Sequence, residues 1–428
     1  MATYLMCSTP VLGHVAPMLG IGRHLVSRGH RVIFLTGSRF ADQVASLGIE
    51  FQALSGLADY DDRDLENHLP DRAKYRGFAQ IQYDIQTMFV NTIPAQFAAV
   101  HAIVQAEAPV AILVDSAFVG AAPLLLDRAS ARPAILGIGV VPLSQSSRDV
   151  APYGMGLAPS SSPFGRLRNR GLNLLATRLL FRKTQRSAER IFASIGGPPL
   201  QQFIMDISGA YDRFLQLNPK EFEYPRSDLA TNTSFVGPVL PVPATMPMPG
   251  WWGDLDGTRP VIHVTQGTID NHDLTRLIRP TIDGLAESDV IVVVSTGGRP
   301  IDDVGPVAAN VRLAEYLRYD LLLPLTDVYV TNGGFGGVQY ALSRAVPMGV
   351  AGDTEDKPEV AARVSWSGTG INLHTGKPTA EAVRKAVNMV LAEPQFKRRA
   401  TEMAKTIEGY STFRSVESAL ADALVGRA

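Results

Sequence analysis

The chain has almost no cysteine. Its single Cys7 excludes an internal disulfide and predicts a reducing, cytoplasmic setting. Cys7 falls in the first apolar run, where it reads as a small buried hydrophobe. Net charge is missing too: 40 Lys and Arg stand against 41 Asp and Glu, a formal charge of -1, so nothing global favours nucleic acid or an anionic membrane. No run of about 18 apolar residues occurs, which predicts no transmembrane helix. No positive n-region precedes the first apolar stretch, which argues against a secretory leader. Short repeats and low-complexity tracts are absent. A dehydrogenase is disfavoured, because no G-x-G-x-x-G follows the first predicted strand and no acidic residue closes the second.

What is present points to two domains. A chain of 428 residues exceeds one ordinary core, and 46% apolar content is enough to build two. Strands are predicted at 4–7, 32–35, 49–51, 110–114 and 134–137, with helices at 14–28 and 38–47 between the first three. Pro17 suits a first helical turn, and Gly29 and Gly48 suit helix stops. Residues 237–260 are proline-rich and aperiodic, as in a linker. Strands at 261–264, 290–295, 311–313, 327–331, 347–350 and 371–373 follow, with helices at 274–285 and 359–366. Three last helices cover 379–393, 395–408 and 412–424. The fold class is α/β, two doubly wound parallel sheets. The domains run 1–236 and 261–408, and 409–428 is a terminal helix expected to pack back on the first domain.

The richest segment is 330–364. An apolar strand runs into Asn332 and then Gly333, Gly334, Phe335, Gly336 and Gly337, with a helix predicted from about Gly337. A glycine-rich strand end at a helix start offers unpaired N–H groups and a dipole to an anion, most often phosphate. The next strand leads to an acidic loop whose carboxylates suit hydroxyls. Phosphate beside polyol points to a sugar nucleotide.

A second site candidate lies near the amino terminus. His14 follows the first strand at a helix start, where the dipole favours a neutral imidazole able to act as a base. Asp115 ends another strand of the same sheet and would hold the imidazole's tautomer. The plain alternative is a capping histidine and an N-cap aspartate.

Gly13-His14-x-x-Pro17, Val114-Asp115-Ser116-Ala117-Phe118, Thr265-Gln266-Gly267-Thr268 and the glycine segment at Asn332 occur together and in order. The chain resembles the family 1 nucleotide-sugar-dependent glycosyltransferases of GT-B fold, especially bacterial enzymes that decorate natural products such as macrolides. The resemblance implies an acceptor-binding first domain and a donor-binding second domain facing across a cleft. It places the catalytic base on His14 and its partner on Asp115. It puts the diphosphate loop on Gln266, Gly267 and Thr268, the base-stacking ring on Tyr316 with Leu317 offering backbone, and the sugar pair on Asp356 and Lys357. Asn332, Gly337, Tyr340 and Lys357 depart from the residues common in that family. Tyr340 in particular cannot accept both ribose hydroxyls as a carboxylate would. UDP-glucose is favoured as donor, with a dTDP-sugar as the alternative. The donor is a co-substrate, and no cofactor or metal is implied.

The implied reaction is one in-line displacement with inversion, His14 taking the acceptor proton. The acceptor is a large apolar small molecule, a polyketide, macrolide or phenolic. Its pocket is expected from 59–91 and 141–187, with Phe78, Tyr83, Met88, Phe89, Tyr153 and Met155 as candidates beside a reading of most of them as core. The acidic triplets at 59–61, 62–64 and 254–256 read as solvated loops rather than metal ligands. The Arg-rich stretch 166–190 reads as a solvated helix face, with a membrane-facing helix as the alternative. A monomer or homodimer is expected. The rival functions are a nucleotide-sugar epimerase and a non-catalytic accessory protein that binds nucleotide sugar.

Overall fold

The computed structural model describes residues 1–75, 78–127, 131–241, 246–268 and 271–425, without the side chains of Glu66, Ala73, Phe78 and Val425. Part of the proline-rich linker, 242–245, lies outside the described residues.

The first half builds a parallel sheet from β1 (Thr3–Cys7), β2 (Arg31–Thr36), β3 (Glu50–Ala53), β4 (Ala111–Asp115), β5 (Ala134–Gly139), β6 (Arg213–Gln216) and β7 (Thr233–Phe235). The strand order is β3-β2-β1-β4-β5-β6-β7. Alternate residues of each strand feed opposite faces. Leu5, Cys7, Ile33, Leu35, Ile112 and Val114 join one core, whereas Tyr4, Met6, Val32, Phe34, Ala111 and Leu113 join the other. Cys7 is fully buried, and burial pushes its thiol pKa well up, so it packs as a hydrophobe.

The second half repeats the plan with β8 (Val261–Thr265), β9 (Ile291–Ser295), β10 (Val311–Ala314), β11 (Val328–Thr331), β12 (Met348–Val350) and β13 (Gly370–Asn372), in the order β10-β9-β8-β11-β12-β13. Both sheets switch direction at their first strand: β1 lies between β2 and β4, and β8 between β9 and β11. Ligand crevices form outside the carboxyl ends of strands at such points. The last helix, Thr412–Val425, returns to the first sheet, where Val416, Ala419 and Leu420 join its core. Glu417 on that helix bonds His24 at 2.9 Å and Arg28 at 3.0 Å.

Three differences from the sequence reading have physical causes. The first helix spans Leu12–Ser27, two residues earlier than predicted. Pro17 is therefore inside it, where its missing N–H leaves the Gly13 carbonyl without a helical donor. β6 (Arg-Phe-Leu-Gln) and β7 (Thr-Ser-Phe) go unpredicted because polar residues break any apolar run there. One helical stretch, Ala79–Glu107, is long and apolar enough to cross a membrane. Ile85, Val90, Ile93 and Val100 on it join the first domain's core, and a third of its most apolar part is buried.

Candidate active site

His14 and Asp115 meet as two strand ends require. Asp115 closes β4 with no exposure, and its Oδ1 lies 2.9 Å from His14 Nδ1. The same carboxylate accepts the Thr9 amide at 2.6 Å, the Ala117 amide at 2.7 Å and the Ser8 hydroxyl at 3.2 Å. Burial would raise the Asp115 pKa, but His14 and these amides outweigh it and hold it below the ordinary 3.8. Burial would lower the His14 pKa, but the Asp115 charge and hydrogen bond hold it above 6.5. The carboxylate in contact thus favours the protonated form, opposite in direction to the helix dipole. Asp356 and Glu355 of the second domain also raise it, so His14 faces the other half.

One neighbour escapes sequence reasoning. Asp62, read as a solvated loop acid, is 2% exposed. Its Oδ2 accepts the Leu12 amide at 2.7 Å and its Oδ1 lies 2.5 Å from Arg39 Nε. It caps the helix that carries His14, satisfying a donor that the helix leaves unpaired. The other acids of these triplets are also locally engaged, Asp59 with Ser38, Asp61 with Arg63, Asp64 with Asn67, Asp254 with Arg312 and Asp256 with Thr258. Among the described residues no group of three or more His, Cys, Asp or Glu could hold a metal ion.

In the second domain β11 runs out at Thr331 into Asn332 and Gly333. Gly333 has φ 92°, and a Cβ there would lie 2.7 Å from Val350 Cγ1, so only glycine fits. The helix that follows spans Phe335–Ser343, beginning earlier than predicted, and Gly334 caps it without a side chain. The amides of Phe335, Gly336 and Gly337 have no acceptor among the described residues. Cβ atoms at Gly334 and Gly336 would meet nothing within 4 Å, so space is open beside them. This is an anion-binding geometry.

The flanking residues divide by role. Gln266 is buried, and its side chain is spent inside the fold: Oε1 accepts the Leu277 and Ile278 amides at 3.1 Å each, and Nε2 donates to Asp273 O at 3.0 Å. Asn332 Nδ2 donates to Gln266 O at 2.5 Å, tying β11 to β8 rather than pointing that N–H at a ligand. Gly267 has φ 73°, and Thr268 is exposed. Gln266, Asn332, Gly352, Gly376 and Arg276 line a small cleft, and Arg276, which sequence reasoning missed, pairs there with Asp353. Tyr316 is 53% exposed beside Gly298, leaving ring surface open, whereas Leu317 is buried in the core. Phe335 and Tyr340 are core residues as well. Phe335 packs 6.5 Å from Phe222, and Tyr340 lies 6.4 Å from Tyr319 and 5.8 Å from the Arg344 guanidinium.

The acidic loop after β12 turns toward His14. Glu355 holds φ 56°, a strained left-handed conformation for a non-glycine residue. Burial raises the Asp356 carboxyl to about 6, against the lowering influence of Lys357. Lys357 is buried and lies 2.5 Å from Glu355 Oε2 and 3.1 Å from Thr354 Oγ1. Across the interface, Gly154 and Gly156 donate their amides to Glu359 Oε1 at 2.9 and 2.8 Å. That fixes the loop bearing Tyr153 and Met155. Burial pushes the Tyr153 hydroxyl pKa well up, with Asp356 adding to it.

The other acceptor candidates are mixed. Tyr83 is half-buried and stacks on Tyr75 with ring centroids 4.8 Å apart. Met88 joins a small apolar cluster with Tyr60, Leu65 and Leu69, against which Val11, Tyr83 and Phe89 pack. Phe89 packs on the main core as well. Phe78 opens its helix, and its side chain lies outside the described residues.

Residues 279–417 match the family model described as "Erythromycin biosynthesis protein CIII-like, C-terminal domain". The chain is 38% identical over 405 residues to 4'-demethylrebeccamycin synthase of Lentzea aerocolonigenes, covering 94% of each. It is 34% identical to UDP-glycosyltransferase 2 of Phaeomoniella chlamydospora, over 96% of this chain and 93% of the relative. The solved glycotransferase of kitacinnamycin superposes with a TM-score of 0.72 at 21% identity, over 97% of both chains, which shows the fold.

Proposed function

The chain belongs to the family 1 nucleotide-sugar-dependent glycosyltransferases, and from that premise we propose that it moves a hexose from a nucleotide diphosphate to a hydroxyl of a large apolar small molecule. The observation that carries this reading is the position of His14, backed by a buried carboxylate and within electrostatic reach of Asp356 and Glu355 on the donor half.

The chemistry follows from the geometry. With Nδ1–H donating to Asp115, the lone pair of His14 sits on Nε2. The acceptor oxygen attacks the anomeric carbon opposite the leaving group, so the C–O bond to the acceptor forms as that to the phosphate breaks, with inversion. The acceptor proton passes to Nε2 as attack proceeds, because an alcohol is too weak an acid to ionise first. Asp115 offsets the imidazolium charge. The bonding electrons leave with the diphosphate, whose charge falls on the amides of Phe335, Gly336 and Gly337. Gly267 and Thr268 flank the diphosphate, with Gln266 setting their loop. Tyr316 stacks on the base and Leu317 offers backbone to it. Asp356 accepts from sugar hydroxyls, and Lys357 donates to one when it leaves Glu355.

Tyr83, Met88, Tyr153 and Met155 contact the acceptor. UDP-glucose is the favoured donor. A dTDP-sugar is the second reading, motivated by Tyr340, which is packed in the core and supplies no carboxylate for a ribose diol. A reducing, cytoplasmic setting agrees with the single buried Cys7.

A thermal-shift panel of UDP, dTDP and GDP tests the donor, because a ligand that binds only the folded state raises Tm. Mass spectrometry with mixed polyketide and phenolic acceptors then tests transfer. One nucleotide should stabilise the protein, and one acceptor class should gain a hexose mass only in the presence of its diphosphate sugar. Nucleotide release without any acceptor would point to the epimerase. No stabilisation and no product would end the reading.

A further inference from the structure

The segment Pro163–Leu175 continues through Ala176–Leu180 into Arg182–Ser194, with one side in water along its length. On that side Phe164 is 86% exposed, Leu167 69%, Leu174 52%, Leu175 41% and Leu179 65%. Arg170 and Arg178 stand among them and Arg182, Lys183, Arg186 and Arg190 follow just beyond, all six exposed. None of these six has a carboxylate partner among the described residues. Arg166 and Arg168 differ, the first pairing with Asp149 at 2.8 Å and the second donating to Asn169 Oδ1 at 2.9 Å.

A row of five large apolar side chains held in water marks a surface that something covers. A second copy of the chain is a poor cover. Two-fold pairing sets the same patch against itself, and between 166 and 190 the only acid is Glu189 against eight basic residues. The charge calls for an anionic partner, and exposed leucines beside and running into the arginines call for one that is apolar just beneath its charge. We propose that this stripe docks on an anionic lipid surface, its Phe and Leu side chains entering the headgroup boundary and its guanidinium groups meeting lipid phosphates. The formal charge of the whole chain, -1, conceals this local excess.

The docked helix would lie beside the acceptor side of the cleft. Gln82 Nε2 donates to Leu180 O at 2.5 Å, and Gln86 Nε2 donates to Ser187 Oγ at 2.9 Å, bracing the segment that carries Tyr83 and Met88. An apolar acceptor dissolved in the same lipid would leave it next to that pocket. This last step rests on the transfer reading above, and the docking itself does not.

The test is flotation of the full chain with vesicles of phosphatidylcholine, alone or with about one third phosphatidylglycerol, with no donor or acceptor present. Binding to the anionic vesicles should exceed binding to neutral ones at least about tenfold and fall steeply at high salt. Leu167→Ser/Leu174→Ser/Leu179→Ser and Arg178→Glu/Arg182→Glu change exposed positions only, so both variants should melt as the parent does. Each should lose anionic binding by about tenfold or more. No binding, equal binding to the two vesicle types, or unchanged binding in either variant overturns the proposal. So does a dimer in sedimentation velocity that the leucine variant dissolves, because a second copy would then cover the stripe.

Discussion

Arg363 Nη2 lies 2.6 Å from Glu223 Oε1, and this contact bridges the two halves of the molecule. Arg363 is fully buried, stands 4.2 Å over the Tyr224 ring and holds Glu359 Oε2 at 2.7 Å. Glu359 in turn grips the Gly154 and Gly156 amides, so one side chain aligns the loop bearing Tyr153 and Met155 with the helix that begins after Asp356.

Removing one partner from a buried charge cluster leaves the others uncompensated. Arg363→Ala should therefore lower unfolding free energy by about 3–5 kcal/mol, measured by urea denaturation. A loss below about 1 kcal/mol, the scale of an exposed pair, would show that the bridge contributes little.

The His14–Asp115 pair gives a signed pH dependence. The raised His14 pKa contributes stability that is fully present below 6.5 and lost as pH rises through the raised value. The lowered Asp115 pKa contributes stability present above 3.8 and lost as pH falls through the lowered value. The proposed proton transfer needs His14 unprotonated, so kcat/KM should rise with pH on a limb centred above 6.5. Asp115→Asn removes the opposing charge and leaves burial to act, which should move that limb to lower pH. A limb that stays in place would contradict the pairing.

The two glycine classes at the donor helix should separate. Gly333→Ala forces a Cβ to within 2.7 Å of Val350 at φ 92° and should destabilise the fold. Gly336→Ala meets nothing in the protein and should keep or raise stability, by up to about 1 kcal/mol. Its methyl group nevertheless enters the space assigned to the diphosphate. Nucleotide affinity, read by calorimetry, should fall about tenfold, the weight of one hydrogen bond to a charged group. Unchanged affinity would move the diphosphate elsewhere.

Tyr316 offers a cleaner test of base stacking, because it is 53% exposed. Tyr316→Ala should change stability by no more than about 0.5 kcal/mol. It should weaken nucleotide binding by about 0.5–1.5 kcal/mol, the scale of an aromatic pair. Equal binding by the variant would remove Tyr316 from the donor site.

All six strands of the second sheet are legible as apolar runs, as is the glycine-rich helix start, because strand period and backbone conformation are local properties. β6 and β7 are not legible, because Arg-Phe-Leu-Gln and Thr-Ser-Phe mix polar with apolar residues and form no apolar run. Pairings across the fold are also hidden. Nothing near Asp62 announces that it caps Leu12, and Arg363 reaches Glu223 across 140 positions. Tyr340 and Phe335 share their segment with the glycine-rich loop yet point into the core, since a helix start turns successive side chains to different faces. The amphipathic stretch 163–194 shows its charge in the sequence, but which of its leucines face water depends on the fold.

The central claim is that His14 takes the acceptor proton, and the transfer rate of His14→Ala at saturating donor and alcohol acceptor tests it most directly. The rate should fall by about 10²–10⁴-fold, while calorimetric affinity for the nucleotide stays unchanged. Transfer at the parent rate would contradict the account.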